Sequence, residues 1–301
     1  MSDISSKPRR RLFHRLENDL PPLQITRRDL RILELVGDYR FLDTRQIRAL
    51  VGGSKHNVTE RLSRLFHHAY LDRPSHQREL RSEGYRFIVY ALAPKGARLL
   101  ATELGKNVRV SRHLAEDNRT VKRFYLAHTL MVSQFRACLT LACRERTDIE
   151  LVEWRVPERP LARVVLGGRR VAVIPDAHFA LRAEDGLIAH FFVEADRGTM
   201  SHRRFLSKLQ AYWRLRSRGE DSGIPRAFRV LTIATSNRRM ENLLTTAIHA
   251  DPRKMGSAMY CFTVESSYSL EDPQGVFGCI WRSPGDQVKR SILDRRREAH
   301  E

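Results

Sequence analysis

The stretch Val171–Lys208 constrains the fold more than any other part of this chain. It runs VAVIPDAHFAL, then Glu184-Asp185-Gly186, then LIAHFFVEADRGT, and closes on a helix-patterned piece. Two apolar segments around a three-residue, Gly-ending loop predict a β-hairpin with Gly186 in the left-handed conformation. That loop sets Ala183 against Leu187, and hence Asp176 directly opposite Glu194. Side chains alternate along a strand, so Glu194 and Asp196 share a face. Three carboxylates then crowd one patch of a largely apolar sheet. Burying them is costly unless a cation, a proton or a basic partner compensates. A divalent ion, Mg²⁺ or Mn²⁺, held by Asp176, Glu194 and Asp196 would do so and would activate water against a phosphodiester. The competing reading is a salt-bridged strand end, with Arg197, Arg203 or Arg204 balancing the acids.

Charge narrows the choice of partner. The 301 residues include 54 Lys and Arg against 35 Asp and Glu, a formal charge of +19. Residues 1–118 hold 23 basic and 14 acidic residues, or +9, which leaves +10 for the remainder. A positive excess spread in this way favours a polyanion, with double-stranded DNA first among candidates. Cys138, Cys143, Cys261 and Cys279 form no CxxC pair and sit in apolar segments, which predicts buried free thiols in a reducing compartment. No signal peptide and no membrane-length apolar run is evident, so a cytoplasmic protein without a membrane partner is expected. Gly167-Gly168-Arg169-Arg170 lacks the Lys and Ser/Thr of a phosphate-binding loop and reads as a turn, so no nucleotide cofactor is expected. No HxH cluster accompanies a candidate tyrosine nucleophile, and His67-His68 has no third metal ligand nearby.

Residues 1–24 read as a flexible basic arm with Lys7, Arg9, Arg10, Arg11 and Arg15. Residues 25–104 read as a winged helix-turn-helix. Thr26 caps a helix with Leu30, Leu33 and Val36 on one stripe, and Asp43 or Thr44 starts a second helix. Gly52-Gly53 makes the turn, and Ser54 caps a third helix that buries Val58, Leu62, Leu65 and Phe66. Two β-prone pieces follow, Tyr70–Arg73 and Tyr85–Leu92, and Pro94 opens a further helix. The third helix would enter the major groove, offering Lys55, His56, Asn57, Arg61 and Arg64 to DNA. A winged helix used for protein contacts is the bland alternative.

Residues 105–118 read as a linker and 119–282 as an α/β domain, followed by a charged tail, 283–301. A helix over Arg119–Arg146 carries the stripe Phe124, His128, Met131, Phe135, Cys138 and Ala142, buried on a sheet or against a second chain. His128 fits a core or interface position better than a ligand. Strands are expected at Leu151–Val156, Val171–Leu181, Leu187–Ala195, Phe228–Ala234 and Met259–Val264, with helices at Ser201–Arg216 and Arg239–Ala250. Tyr212 and Trp213 follow the Phe205 and Leu209 stripe and read as core.

The order α-β-β-β-α-β, with Pro175-Asp176 on the second strand and Glu194-Ala195-Asp196 on the third, resembles the PD-(D/E)XK nuclease fold. The resemblance implies that Asp176 and Glu194 bind Mg²⁺. Asp196 stands where that family places its lysine. Lys208, on the next helix, would then supply the cation, as lysines displaced to that helix do in some members, and Glu153 would be an outer acid. Taken alone, Lys208 reads as a solvent-facing helix lysine. Over roughly residues 25–240 the chain is also similar to the replication-relaxation family of plasmid and mobile-element proteins. The matching pieces include ITRRDLRILELVGDYRFLDTRQIRAL, RLSRLFHHAYLDR, YALAPKGARLL, AHTLMVSQF, VIPDAHFAL and FFVEADRGTMSHRRFLSKLQAYWRL. That resemblance implies a DNA-binding protein of plasmid or mobile-element replication or relaxation, with metal-dependent nicking by Asp176, Glu194 and Lys208. The alternative is a non-catalytic replication or transcription regulator whose nuclease-like domain serves dimerisation or recruits replication or mobilisation proteins.

Overall fold

The computed structural model describes residues 12–16, 20–105, 114–217, 225, 227–252 and 254–294. Lys7, Arg9, Arg10 and Arg11 of the expected arm, residues 106–113 of the expected linker and residues 295–301 of the tail lie outside the described residues. The fold is mixed α/β, divided into two compact units, Met1–Leu130 and Met131–Glu301. Among the described residues no helix is long and apolar enough to cross a membrane.

In the first unit, local capping chemistry sets each helix start. Helix α1 (Arg27–Tyr39) begins where the Thr26 and Asp29 side chains each accept the other's backbone N–H. A two-residue strand β1 (Leu42–Asp43) leads into α2 (Thr44–Val51), capped in the same reciprocal way by Asp43 and Gln46. Gly52 and Gly53, at φ 71° and 98°, turn the chain into α3 (Lys55–His67), capped by Ser54. On α3 the buried residues are Val58, Leu62, Leu65 and Phe66, as the periodicity predicts. Strand β2 (Leu71–Asp72), helix α4 (Gln77–Ser82), strand β3 (Val89–Leu92) and helix α5 (Pro94–Leu104) follow. The strands form an antiparallel sheet in the order β1-β3-β2. Helix α4 was not expected in what reads as a polar connection. Its buried Gln77 explains it: the side-chain amide pairs with both backbone groups of Val89, at 2.8 and 3.0 Å, where no strand reaches them. Arg15, read as part of the flexible arm, bonds the Phe66 and Leu71 carbonyls at 3.0 Å and pairs with Asp72.

The single helix expected over 119–146 is two helices, α6 (Leu114–Thr120) and α7 (Arg123–Arg144). Val121 and Leu126 both enter the cluster around Phe41 and Val89. Five residues apart on one straight helix they would point about 140° away from each other, so the break lets both be buried. Asn118 fixes α6 beside it by donating to Asp72 and to the Leu92 carbonyl, both at 2.9 Å. Phe124, expected on the buried stripe, is 59% exposed and stacks under Arg123, because Leu126, Ala127 and Leu130 occupy the buried side of this first half of α7.

In the second unit, Met131, Phe135, Cys138 and Ala142 of α7 are buried as expected. The strands are β4 (Ile149–Arg155), β5 (Ala162–Leu166), β6 (Arg169–Val173), β7 (Ala177–Ala183) and β8 (Ile188–Asp196). Helix α8 (His202–Arg216, capped by Ser201), strand β9 (Phe228–Ala234), helix α9 (Asn237–Ala247) and strand β10 (Tyr260–Val264) complete the core. The main sheet has the order β10-β9-β8-β7-β4. Strands β4, β7 and β8 form an antiparallel meander, and β9 and β10 continue it in parallel. One face carries Phe179, Phe191, Val193, Leu231 and Ile233 into a cluster with Phe135, Tyr268 and Trp281. The other carries Phe192, Val230 and Phe262 against Phe205, Leu209 and Tyr212 of α8 and Leu243 of α9. Strand β8 is covered on both faces, so its apolar run does not alternate with polar residues.

Two expectations are corrected here. Val171–Leu181 is not one strand. Pro175 has no N–H to give a ladder, and the segment before it pairs instead with β5 as a separate two-stranded ribbon. Gly167 and Gly168, at φ 53° and 76°, supply its tight turn. The thiols are all free, but only Cys138 and Cys261 are buried, and Cys279 is exposed.

Candidate functional site

The hairpin forms in the expected register. Ala183 N–H bonds the Leu187 carbonyl at 2.9 Å, Gly186 has φ 82°, and Ala177 pairs with Val193. Asp176 therefore stands at the mouth of β7 beside Glu194. Its N–H donates to the Val193 carbonyl at 3.0 Å, and its Oδ2 accepts from the Ala195 N–H at 2.7 Å. The residue is half-buried, and the Ala195 N–H anchors its carboxylate.

Glu194 projects from the middle of the sheet towards α8 and is 4% exposed. Lys208 forms an ion pair with its Oε2, and the Tyr212 hydroxyl donates to its Oε1 at 2.5 Å. Lys208 and Tyr212 are four apart, one helical turn, so one face of α8 presents both. The Tyr212 ring is core, as expected, but its hydroxyl belongs to the acid cluster. Asp196 lies on the same sheet face and is committed elsewhere. Arg239, at the start of α9, holds it through Nε at 2.7 Å and Nη2 at 3.0 Å, and Gly198 N–H donates to it at 2.8 Å. The structure thus gathers Asp176, Glu194 and Lys208 and ties Asp196 to Arg239. The balancing cation is Arg239, not the Arg197, Arg203 or Arg204 of the salt-bridged reading.

Burial pushes the Glu194 carboxyl up to about 7, helped by nearby Asp176 and opposed by Lys208 and Tyr212. The Lys208 pKa is raised as well. Burial lowers it, but Glu194 and Asp176 outweigh that. The lysine side chain keeps 18% of its exposure against 6% for Glu194, so its ammonium stays charged and Glu194 is the titrating member. Between pH 4.5 and about 7 the folded chain holds a proton on Glu194 that the unfolded chain has released. This contribution to stability is full below the ordinary carboxylate value and is lost as pH rises through about 7. Urea melts from pH 5 to pH 8 should show a shallower fall for Glu194→Gln than for the wild type. Equal slopes would mean that Glu194 does not titrate in this window.

Among the described residues no three His, Cys, Asp or Glu side chains converge as a ready-made metal cage. Asp176 and Glu194 nevertheless suit a small, hard cation. Mg²⁺ is commonly held by one or two carboxylates, with water and substrate phosphate completing its shell. Glu153 is not part of this group. It sits on β4 at the level of Ala180, with Oε2 3.8 Å from His178 Nδ1. His178 Nε2 lies 3.3 Å from His190 Nδ1, and the two rings stack. Burial lowers the pKa of both histidines, against the pull of Glu153. The alternation of β7 and β8 could have shown that these histidines share a sheet face as diagonal neighbours, His178 opposite Phe192 and His190 opposite Ala180.

On α3 the residues expected to meet DNA separate into two kinds. Lys55, His56 and Asn57 are exposed at its N-terminal end, with His56 3.8 Å from Glu60. Arg61 turns inward, donating through Nε to Asp29 at 2.6 Å and through Nη2 to the Gln24 carbonyl at 2.5 Å. Asp29 is wholly buried; burial raises its pKa, but bonds from Arg61 and Thr26 hold it below the ordinary value. Arg64 donates to the Pro22 carbonyl at 3.2 Å. Arg61, offered to DNA by its place off the apolar stripe of α3, is thus part of the packing between α3 and α1. Its loss would strand a buried carboxylate, so Lys55 and Asn57 are the cleaner probes of this helix.

A family model described as replication-relaxation matches residues 33–228, more than half of the chain and inclusive of Asp176, Glu194 and Lys208. No curated protein and no solved structure matches the chain significantly.

Proposed function

We propose a function from the premise that this chain belongs to the replication-relaxation family. It is a DNA-binding protein of plasmid or mobile-element replication that nicks DNA with Asp176, Glu194 and Lys208. The observation that carries the reading is the reach of Lys208 from α8 to Glu194, beside Asp176. This is the acid–acid–lysine set that the PD-(D/E)XK fold uses, with the lysine displaced onto the next helix. The meander β4-β7-β8 followed by parallel β9 supports that comparison. Mg²⁺ or Mn²⁺ held by Asp176 and Glu194 would polarise the scissile phosphate and lower the pKa of bound water. The chain's own residues do the rest. The Ala195 N–H anchors Asp176, Tyr212 and Lys208 orient Glu194, and the Lys208 ammonium offers positive charge to a developing phosphate anion.

DNA binding is assigned to the first unit. Helices α1, α2 and α3 with the sheet β1-β3-β2 support a winged helix, and Lys55, His56 and Asn57 at the N-terminal end of α3 are where such helices meet base edges. A cytoplasmic setting, with replication or mobilisation proteins as further partners, fits this reading.

One observation favours a second reading. Both Glu194 oxygens have partners and Arg239 neutralises Asp196, so these two acids are balanced by protein groups without a metal ion. A regulator that binds DNA and uses the second unit for dimerisation or recruitment would look the same. Supercoiled plasmid carrying the native target, incubated with the full chain and Mg²⁺ or Mn²⁺, separates the two. Open-circular product supports the nickase, whereas binding without conversion supports the regulator.

A further inference from the structure

We propose that the β5–β6 ribbon is a second DNA-backbone contact, with Arg169 and Arg170 as its phosphate-binding groups. The proposal rests on the reading above that the second unit acts on DNA, and it adds a surface beside the acid cluster.

The charge of this segment is one-sided. Residues 159–175 contain four arginines and no acid. The ribbon pairs Val165 with Arg170 and Leu166 with Arg169 around the Gly167-Gly168 turn. Its inner face buries Val164 and Val173 in the cluster that also contains Phe205, Leu209 and Tyr212 of α8. The ribbon is therefore seated on the helix that carries Lys208. Its outer face exposes Arg163, Val165, Arg170 and Ala172, and Arg169 is exposed at the tip. Among the described residues neither the Arg169 nor the Arg170 side chain has an ion-pair or hydrogen-bond partner, unlike those of Arg61, Arg146 or Arg239. Only Ile174 and Pro175 separate the end of β6 from Asp176. Arg169 and Arg170 lie at the turn end of the ribbon, so phosphate held there would be a contact additional to the acids and on the same continuous segment.

The occupant is set by charge complementarity. Two exposed guanidiniums on a rigid two-stranded ribbon match successive phosphates of a duplex, whose grooves also admit such a ribbon. Val165, opposite Arg170, and Ala172 are small, so this outer face can lie close to the sugar-phosphate backbone. The expected contact positions DNA and reads no sequence.

The test is a salt titration of full-length protein on a labelled duplex, followed by fluorescence anisotropy. Each phosphate contact contributes about 0.9 to the slope of log K against log salt. The double variant Arg169→Ala/Arg170→Ala should lower that slope by about 2. The loss of affinity between about 50 and 200 mM salt should shrink by about tenfold relative to wild type. Arg169→Lys/Arg170→Lys should retain the wild-type slope, since point charge suffices for backbone contact. An alanine variant with an unchanged slope, or a lysine variant that loses it, would overturn the ribbon proposal and leave the reading of the acid cluster standing. Wild-type protein that binds no duplex at low salt would overturn both.

Discussion

Asp176→Ala should abolish nicking of supercoiled plasmid while duplex binding stays nearly unchanged. Asp176 sits on the second unit, whereas the exposed residues assigned to DNA recognition are Lys55, His56 and Asn57 of the first. Losing one of two carboxylates that would hold the cation removes several kcal/mol of transition-state stabilisation. At about 1.4 kcal/mol per decade, that is a loss on the order of a thousandfold in rate. Alanine also removes the acceptor of the Ala195 N–H, worth about 1 kcal/mol of stability. Asp176→Asn separates the two effects, since it retains an acceptor of the same size and removes the charge. Both variants should be inactive, and the asparagine variant should melt closer to wild type. If all three proteins bind DNA and none converts plasmid carrying its native target, the chain is a regulator and not a nickase.

The largest effect on stability is expected from Phe135→Ala. The ring is fully buried and lies 5.7–6.3 Å, centroid to centroid, from Trp154, Phe179, Tyr268 and Trp281. Truncating such a side chain leaves a cavity and costs about 3–5 kcal/mol. Edge-on contacts with several rings put it at the upper end. Typical domains have only about 5–15 kcal/mol in total, so the second unit should lose a large share of its stability. The sequence pattern allowed either a sheet or a second chain to cover this stripe, and in the structure the sheet does. Phe124→Ala, on the same helix but 59% exposed, should stay within about 0.5 kcal/mol of wild type. Urea melts of the two variants measure the contrast. A cost below about 1 kcal/mol at Phe135 would show that the site is not a packed core.

What the sequence determined by itself is whatever rests on bonds between near neighbours. Thr26, Asp43, Ser54 and Ser201 mark their helix starts because a capping side chain reaches only two or three residues ahead. The Asp176–Glu194 juxtaposition was legible for a similar reason. The Glu184-Asp185-Gly186 loop fixes the register, and register fixes which residues face each other. Membership in the family was likewise legible, in ordered pieces that the family model spans. Lys208 stood at the limit. Taken alone it read as solvent-facing and only the nuclease resemblance drew it to the acids, because whether it met solvent or Glu194 depended on how α8 lay on β8. The rest was decided only by tertiary structure. Arg61 meets Asp29 across 32 residues, and Arg239 meets Asp196 across 43. Gln77 completes β3 in place of a strand, and the break at Val121 follows from two side chains sharing one cluster. Such partners meet only after the chain has taken its path. The penalty for leaving a carboxylate or an amide unpaired in the interior then selects the residue that answers it.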